Sequence, residues 1–277
     1  MDEVIDACLA GSGSSRQLTI DLRFQGLPDT AHGGSILGVF DRLRGAGGPR
    51  EVLGTYRRRV PPGVPLGLQI GRAGDGETFA LRDERGPLVD GHVVPIVADG
   101  TDPVVVSPVG VPLPISTTCF ACGIDNPIGL RLQLQQDDSA VWGEHVPGEH
   151  FRAADGSVAT VALTTALDET AFWLGALATG ESGMTTEVRV RLHRPARFGE
   201  PLVISGSRRR VRPLATDPRY LVTEPTVHDA SGRLIASARI TFVTVRGAAR
   251  RLVAGMLAMN PPELLHRVFP TYASPSR

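Results

Sequence analysis

Thr30-Ala31-His32-Gly33-Gly34-Ser35-Ile36-Leu37-Gly38-Val39-Phe40-Asp41 is the stretch whose reading decides the fold. A turn hands over here to an apolar helix that carries one carboxylate. Two glycines at a helix start expose backbone N–H groups that no carbonyl of the helix can reach, and a ligand oxygen can come close to them. The positive end of the helix dipole adds to the attraction, so the turn suits a developing negative charge.

A second copy lies further along without the glycines. Phe151-Arg152-Ala153-Ala154-Asp155-Gly156-Ser157-Val158-Ala159-Thr160-Val161 leads into Ala162-Leu163-Thr164-Thr165-Ala166-Leu167-Asp168-Glu169. Phe24 falls on Phe151 and Asp41 on Asp168 at one offset, since 151 − 24 and 168 − 41 both equal 127. His32-Gly33-Gly34 then falls on Ala159-Thr160-Val161. Two further places repeat. Tyr56 to Val60 and Gly63-Val64-Pro65-Leu66 answer Met184 to Pro195 and Gly199-Glu200-Pro201-Leu202, and the closing hairpin from Asp83 to Val94 answers the one from Asp229 to Val243. Repetition at three places points to an internal duplication.

Length and composition agree with two domains. The chain has 277 residues, 42% hydrophobic and 21% charged, with zero net charge. That suits a soluble globular protein and gives no support to nucleic acid or an anionic membrane as partner. No run is apolar enough for a membrane helix, and the acidic start Met1-Asp2-Glu3 does not read as a signal peptide, so a cytoplasmic location is expected. Every basic residue is arginine, which excludes lysine Schiff-base chemistry and a Walker-type phosphate loop. Three cysteines, Cys8, Cys119 and Cys122, make no disulfide framework. Cys119 and Cys122 have zinc-ribbon spacing, but a structural zinc takes four ligands and the chain has no second pair. They are read as a structural turn, and no metal or other cofactor is expected.

The order of elements predicts an α+β fold. Residues 1–15 read as a loosely held arm, and Arg16 to Phe24 as a half-buried strand feeding the His-Gly-Gly turn. A helix from Gly34 stops near Gly45 to Pro49, and strands follow at Glu51 to Val60, Leu66 to Gly71, Thr78 to Arg82 and Leu88 to Ile96. The expected divisions are residues 1–97, a proline-rich linker at 98–118, residues 119–246 and a helical tail at 247–277. The tail, with Leu252, Met256, Leu257 and Met259, reads as a helix docked on its own protein.

Phe24-Gln25-Gly26-Leu27-Pro28 with His32-Gly33-Gly34 and Asp41 resembles the "hQGxPxxxHGGxxxxxxD" signature of PaaI-like hotdog thioesterases. Cys119-Phe120-Ala121-Cys122-Gly123-Ile124-Asp125-Asn126-Pro127-Ile128-Gly129-Leu130 resembles the "CFxCGxxNPxGL" opening of many members of that family, and the first half has no counterpart to it. The resemblance implies a tandem hotdog, two antiparallel sheets each wrapping a central helix, which together form a pseudo-dimer within one chain. A homodimer of the whole chain is compatible with it. It also implies a substrate, an acyl-CoA or acyl-carrier-protein thioester, and a composite site in which glycine N–H groups of one domain face the helix carboxylate of the other.

Two such sites can be scored. The first pairs His32, Gly33 and Gly34 with Asp168, and Thr185 falls where the family often has a threonine after the helix. The second pairs Ala159-Thr160-Val161 with Asp41, and its threonine position falls on Pro49. One surviving site and one decayed site are therefore expected. In the first, the Gly33 and Gly34 amides would stabilise an oxyanion, worth roughly 3–4 kcal/mol per donor. His32 would anchor the turn, and Asp168 would act as general base or as nucleophile. Glu169 is the alternative carboxylate. Gln25, Arg58 and Arg194 are candidates for substrate contact, the arginines for phosphates of the CoA or pantetheine arm. Rival readings are an acyl-thioester binding protein without turnover and a hotdog dehydratase or hydratase, which would need an Asp/His pair. Neither half shows a histidine near its own helix carboxylate.

Overall fold

In the computed structural model, which describes residues 1–11, 15–45, 47–98 and 109–273, each helix-then-meander order becomes a sheet curled around one helix. The first half runs α1 (Asp2–Ala7), β1 (Leu9–Ala10), β2 (Ser15–Thr19), a 3-10 turn (Leu22–Phe24), α2 (Gly33–Arg44), β3 (Arg50–Tyr56), β4 (Pro65–Ala73), β5 (Gly76–Asp83) and β6 (Gly86–Pro95). The second half begins with β7 (Val111–Pro112), β8 (Gln135–Gln136), β9 (Ala140–His145), a 3-10 turn (Glu149–Phe151), α3 (Thr160–Thr179) and β10 (Gly183–Leu192). It continues with β11 (Leu202–Ser207), β12 (Arg212–Leu214), β13 (Asp217–Thr223), β14 (Thr226–Asp229) and β15 (Leu234–Thr244), then α4 (Ala249–Met256) and α5 (Pro262–Val268).

The two curled sheets fuse along β3 and β10, antiparallel from Glu187 opposite Thr55 to Leu192 opposite Arg50. Both sheet edges at this seam are thereby covered. Hydrogen bonds repeat across the halves. His32 N donates to Phe24 O and Ala159 N to Phe151 O, both at 2.8 Å, with the offset of 127. Ala31 N donates to Val60 O and Val158 N to Ala196 O, again both at 2.8 Å. The offset at these acceptors is 196 − 60 = 136, because α3 has 20 residues where α2 has 12. Both helices stop at a left-handed glycine, Gly45 (φ 67°) and Gly180 (φ 69°).

Helix α2 crosses α3 closely because it presents Gly34 and Gly38 at i and i+4. A Cβ on Gly34 would lie 2.3 Å from Thr164 O, and one on Gly38 would lie 2.5 Å from Val161 Cα. The crossing brings the helix starts and carboxylates of opposite halves together.

The motif around Phe120 belongs to both halves. Its ring lies 4.7 Å from that of Phe24 and 6.1 Å from that of Phe151, the two equivalent phenylalanines. Asn126 donates from Nδ2 to Arg23 O at 2.7 Å, and Phe120 N to Gln25 O at 2.6 Å. One copy serves both sides.

Several boundaries differ from expectation. The N-terminal residues fold as α1 and β1 with Ile5 buried, and Arg42 ties α2 to Asp6. Strand β2 ends at Thr19 because the Asp21 carboxylate accepts Arg23 N and starts a 3-10 turn. Of the proline-rich linker, residues 99–108 lie outside the described residues. No helix among the described residues is long and apolar enough to cross a membrane.

Candidate active site

Asp168 sits in the middle of α3, buried, and faces the start of α2. Its Oδ2 accepts the Gly34 N–H at 2.8 Å and its Oδ1 accepts the Thr185 hydroxyl at 2.7 Å. Gly33 matters for a different reason: a Cβ there would lie 2.8 Å from Asp168 Oδ2. Gly34 thus serves helix packing and the carboxylate together, while the Gly33 N–H has no acceptor among the described residues. The Tyr56 hydroxyl donates to Gly33 O at 2.5 Å, and burial together with the Asp168 charge pushes its phenol well above the usual range.

His32 lies between two carboxylates. Nδ1 is 3.3 Å from Asp168 Oδ2 and Nε2 is 3.5 Å from Glu169 Oε2, both carboxylates coming from the other half. Burial alone would lower the imidazole pKa, but the Glu169 contact and the Asp168 charge outweigh it and raise it to about 9. The other oxygen of Glu169 accepts the Trp173 indole N–H at 2.8 Å. The expectation that no histidine neighbours a helix carboxylate is therefore corrected. It compared each half with itself, and the crossing of α2 and α3 supplies the partner.

These groups line a cavity of about 160 Å³. Ala31, Ile36, Val60, Phe172, Trp173 and Met184 make it largely apolar. Leu252 and Met256 of α4 close one side, a role the tail was not assigned from sequence. Cys119 and Cys122 also face the cavity, so the turn expected of them lies beside His32 and Glu169.

Thr185 and Thr186 separate cleanly. Both line the cavity beside a bulge in the β10–β15 pairing between Thr185 and Glu187, but only Thr185 bonds to Asp168, while Thr186 donates to Thr241 O at 3.2 Å. Arg58 lines the cavity, but Asp83 holds its guanidinium at 2.6 and 2.9 Å. Two candidates lie elsewhere. Gln25 turns its amide towards Thr118 at 3.5 Å and does not line the cavity. Arg194 is exposed on the opposite side, beside Ala159 and Thr160, because the strand after α3 leads it to the second composite site.

That second site is filled. Arg50 clasps the Asp41 carboxylate through Nε and through Nη2, the latter at 2.7 Å, and reaches Thr160 Oγ1 at 3.1 Å. Arg50 stands where Thr185 stands in the first site, at the start of the strand after the helix and bonded to the helix carboxylate. Pro49 was one residue short. The offset here is 185 − 50 = 135 rather than 136, and the bulge residue Thr186 makes up the difference.

No protein-family model matches the chain, and no curated protein matches it. Solved structures do. An acyl-CoA thioesterase II, TesB2, of Mycobacterium marinum superposes with a TM-score of 0.58 at 15% identity, over 90% of this chain and 99% of that one. A protein with a hot dog fold from Alicyclobacillus acidocaldarius gives 0.59 at 11% identity, over 87% and 97%. The dehydratase domain of the CurJ module of the curacin polyketide synthase gives 0.56 at 9%, over 85% and 93%. At these identities the likeness establishes the fold: the chain is a tandem hotdog.

Proposed function

We propose that the cavity hydrolyses acyl thioesters, of CoA or of an acyl-carrier protein, and that it is the one working composite site. The carrying observation is the Asp168 carboxylate of one half set against the glycine start of the other half's helix, inside an apolar cavity. The PaaI-like signature and the thioesterase II named among the structural neighbours support the same reading.

In this reading the thioester carbonyl oxygen points at the Gly33 N–H, at the positive end of α2, and the acyl chain lies against Phe172, Trp173 and Met184. Asp168 takes a proton from water as the water oxygen attacks the carbonyl carbon. Thr185 and the Gly34 N–H hold its two oxygens in place for that task. The tetrahedral oxyanion collapses, the C–S bond breaks, and the thiol leaves with a proton. Arg57, Arg58 and Arg59 at the rim suit a phosphate-bearing arm.

The test is thiol release from a panel of acyl-CoA and acyl-pantetheine thioesters. Turnover that vanishes in Asp168→Asn supports the reading, and thioester binding with no turnover of any substrate would leave a binding protein in its place. The contact of His32 with Asp168 favours one second reading, dehydration of a 3-hydroxyacyl thioester. Formation of the conjugated enoyl product without thiol release would select it.

A further inference from the structure

The zinc-ribbon spacing of Cys119 and Cys122 lacks a second cysteine pair in the sequence, and the fold brings two other ligand types to it. One ligand atom each from His32, Cys119 and Glu169 lie within 4.8 Å of one another, and all three residues are buried. The Cys122 thiol, also buried, turns instead to the Ser116 hydroxyl at 4.0 Å. One sulfur, one imidazole and one carboxylate on three separate segments converge on one point. We propose that His32, Cys119 and Glu169 form a binding site for a divalent ion of the zinc type, with a fourth position left open.

The surroundings of each ligand carry the proposal further than the count does. Ala121 N donates to Cys119 Sγ at 3.3 Å. Backbone N–H groups turned on a sulfur favour the thiolate over the thiol. The chain turns back at Gly123, whose N–H bonds to Cys119 O at 2.8 Å, and a Cβ there would lie 2.3 Å from that oxygen. Only glycine fits this knuckle.

The other two ligands have outer partners of the kind metal ligands have. Glu169 gives one oxygen to Trp173 at 2.8 Å and leaves Oε2 towards His32. On His32, Nε2 faces the cluster, while Nδ1 lies 3.3 Å from Asp168 Oδ2 and makes no better bond in the folded chain. An ion on Nε2 would fix the tautomer with a proton on Nδ1, aimed at Asp168. The ligand set of one thiolate, one imidazole and one carboxylate suits zinc with an open fourth position and disfavours magnesium or calcium. The ion would tie the Phe120 segment to α2 and α3 and orient the histidine behind the carboxylate.

The experiment is cobalt(II) binding to full-length protein purified under reducing conditions and freed of metal by chelation. The expected result is one ion per chain, a thiolate-to-cobalt charge-transfer band, and displacement of that band by stoichiometric zinc. Cys119→Ser should abolish the band. Glu169→Gln and His32→Gln should each weaken binding, and Asp168→Asn should lower affinity about 10–100-fold through its bond to His32. Circular dichroism melts separate a lost site from a lost fold. No band in folded wild-type protein would overturn the proposal. So would a band of unchanged affinity in Glu169→Gln and His32→Gln, since the cysteines would then be binding alone. The readout does not involve turnover, so it stands or falls apart from the hydrolase reading.

Discussion

Gly34 donates its backbone N–H to Asp168 Oδ2 at 2.8 Å, so the helix start of one half holds the helix carboxylate of the other. Asp41 is held instead by Arg50 of its own half, in the position that Thr185 has beside Asp168. One carboxylate faces a cavity and the other is neutralised by a nearly buried guanidinium, with side-chain exposures of 4% for Asp41 and 14% for Arg50. Asp168→Asn is expected to lower thioester turnover about 10²–10⁴-fold. Asp41→Asn should leave turnover near wild type. Asp41→Ala should instead cost stability, about 3 kcal/mol, because Arg50 loses its partner in a site water scarcely reaches. Parallel rate and denaturation measurements check both, and loss of turnover in Asp41→Asn alone would reverse the assignment of the sites.

Thr185 and Thr186 give a second pair of opposed outcomes. Thr185→Val removes the hydroxyl that holds Asp168 Oδ1 and should lower kcat about 10–150-fold, in line with loss of a hydrogen bond to a charged group worth roughly 1.5–3 kcal/mol. Thr186→Val removes only a bond to Thr241 O near the bulge and should leave kcat unchanged. Equal effects would sink the idea that the bulge selects Thr185.

How much of this was legible in the sequence depends on which contacts are local. The offset of 127 between Phe24 and Phe151, and between Asp41 and Asp168, is a local pattern repeated, so the duplication could be read directly, while the hotdog fold followed from the resemblance carried by the motifs at His32-Gly33-Gly34 and Cys119 to Leu130. Arg50 could not be placed, because its position depends on one bulge residue in β10, and a bulge leaves no clear mark in composition. The His32 contacts with Asp168 and Glu169 were invisible for another reason. They join residues 136 and 137 apart (168 − 32 and 169 − 32) through a helix crossing that only packing defines. Cys119 and Cys122 were judged by spacing along the chain, whereas their neighbours come from both halves.

The glycines of α2 separate packing from chemistry. Gly38→Ala drives a methyl group to 2.5 Å from Val161 Cα, far from Asp168, and should destabilise the protein by about 1–3 kcal/mol while the folded fraction keeps its turnover. Gly33→Ala places its methyl group 2.8 Å from Asp168 Oδ2, a side-chain atom that can swing aside. It should fold with little loss and turn over poorly. Thermal melts beside specific activity distinguish the two, and a Gly33→Ala protein as active as wild type would remove Gly33 from the site.

Asp229 predicts the acid limb of stability. Burial pushes its carboxyl up, but the Ser231 hydroxyl at 2.6 Å and the Arg233 N–H groups hold it down at about 2. The unfolded carboxyl titrates near 3.9. A depressed folded value means that the contribution is complete above about pH 4 and disappears as the pH falls through about 2. Asp229→Asn should therefore lower stability at neutral pH and flatten its decline between about pH 4 and 2, as read from urea midpoints across that range. An acid limb unchanged in slope would show that the hairpin carboxylate does not couple to folding.

Helix α4 bears on acyl selectivity. Leu252 and Met256 reach the cavity from the tail, and Met256 is buried there with 3% exposure. If the acyl chain runs along Phe172 and Trp173 towards them, truncation opens space at the far end without touching Asp168, Gly33 or Thr185. The double change Leu252→Ala and Met256→Ala should then move the optimum to longer acyl chains, each methylene newly accommodated being worth about 0.8 kcal/mol in kcat/KM. The rate on the shortest substrates should stay close to wild type. A uniform fall across all chain lengths would mean that α4 only supports the fold, and that the acyl chain leaves the cavity by the Arg57–Arg59 rim instead.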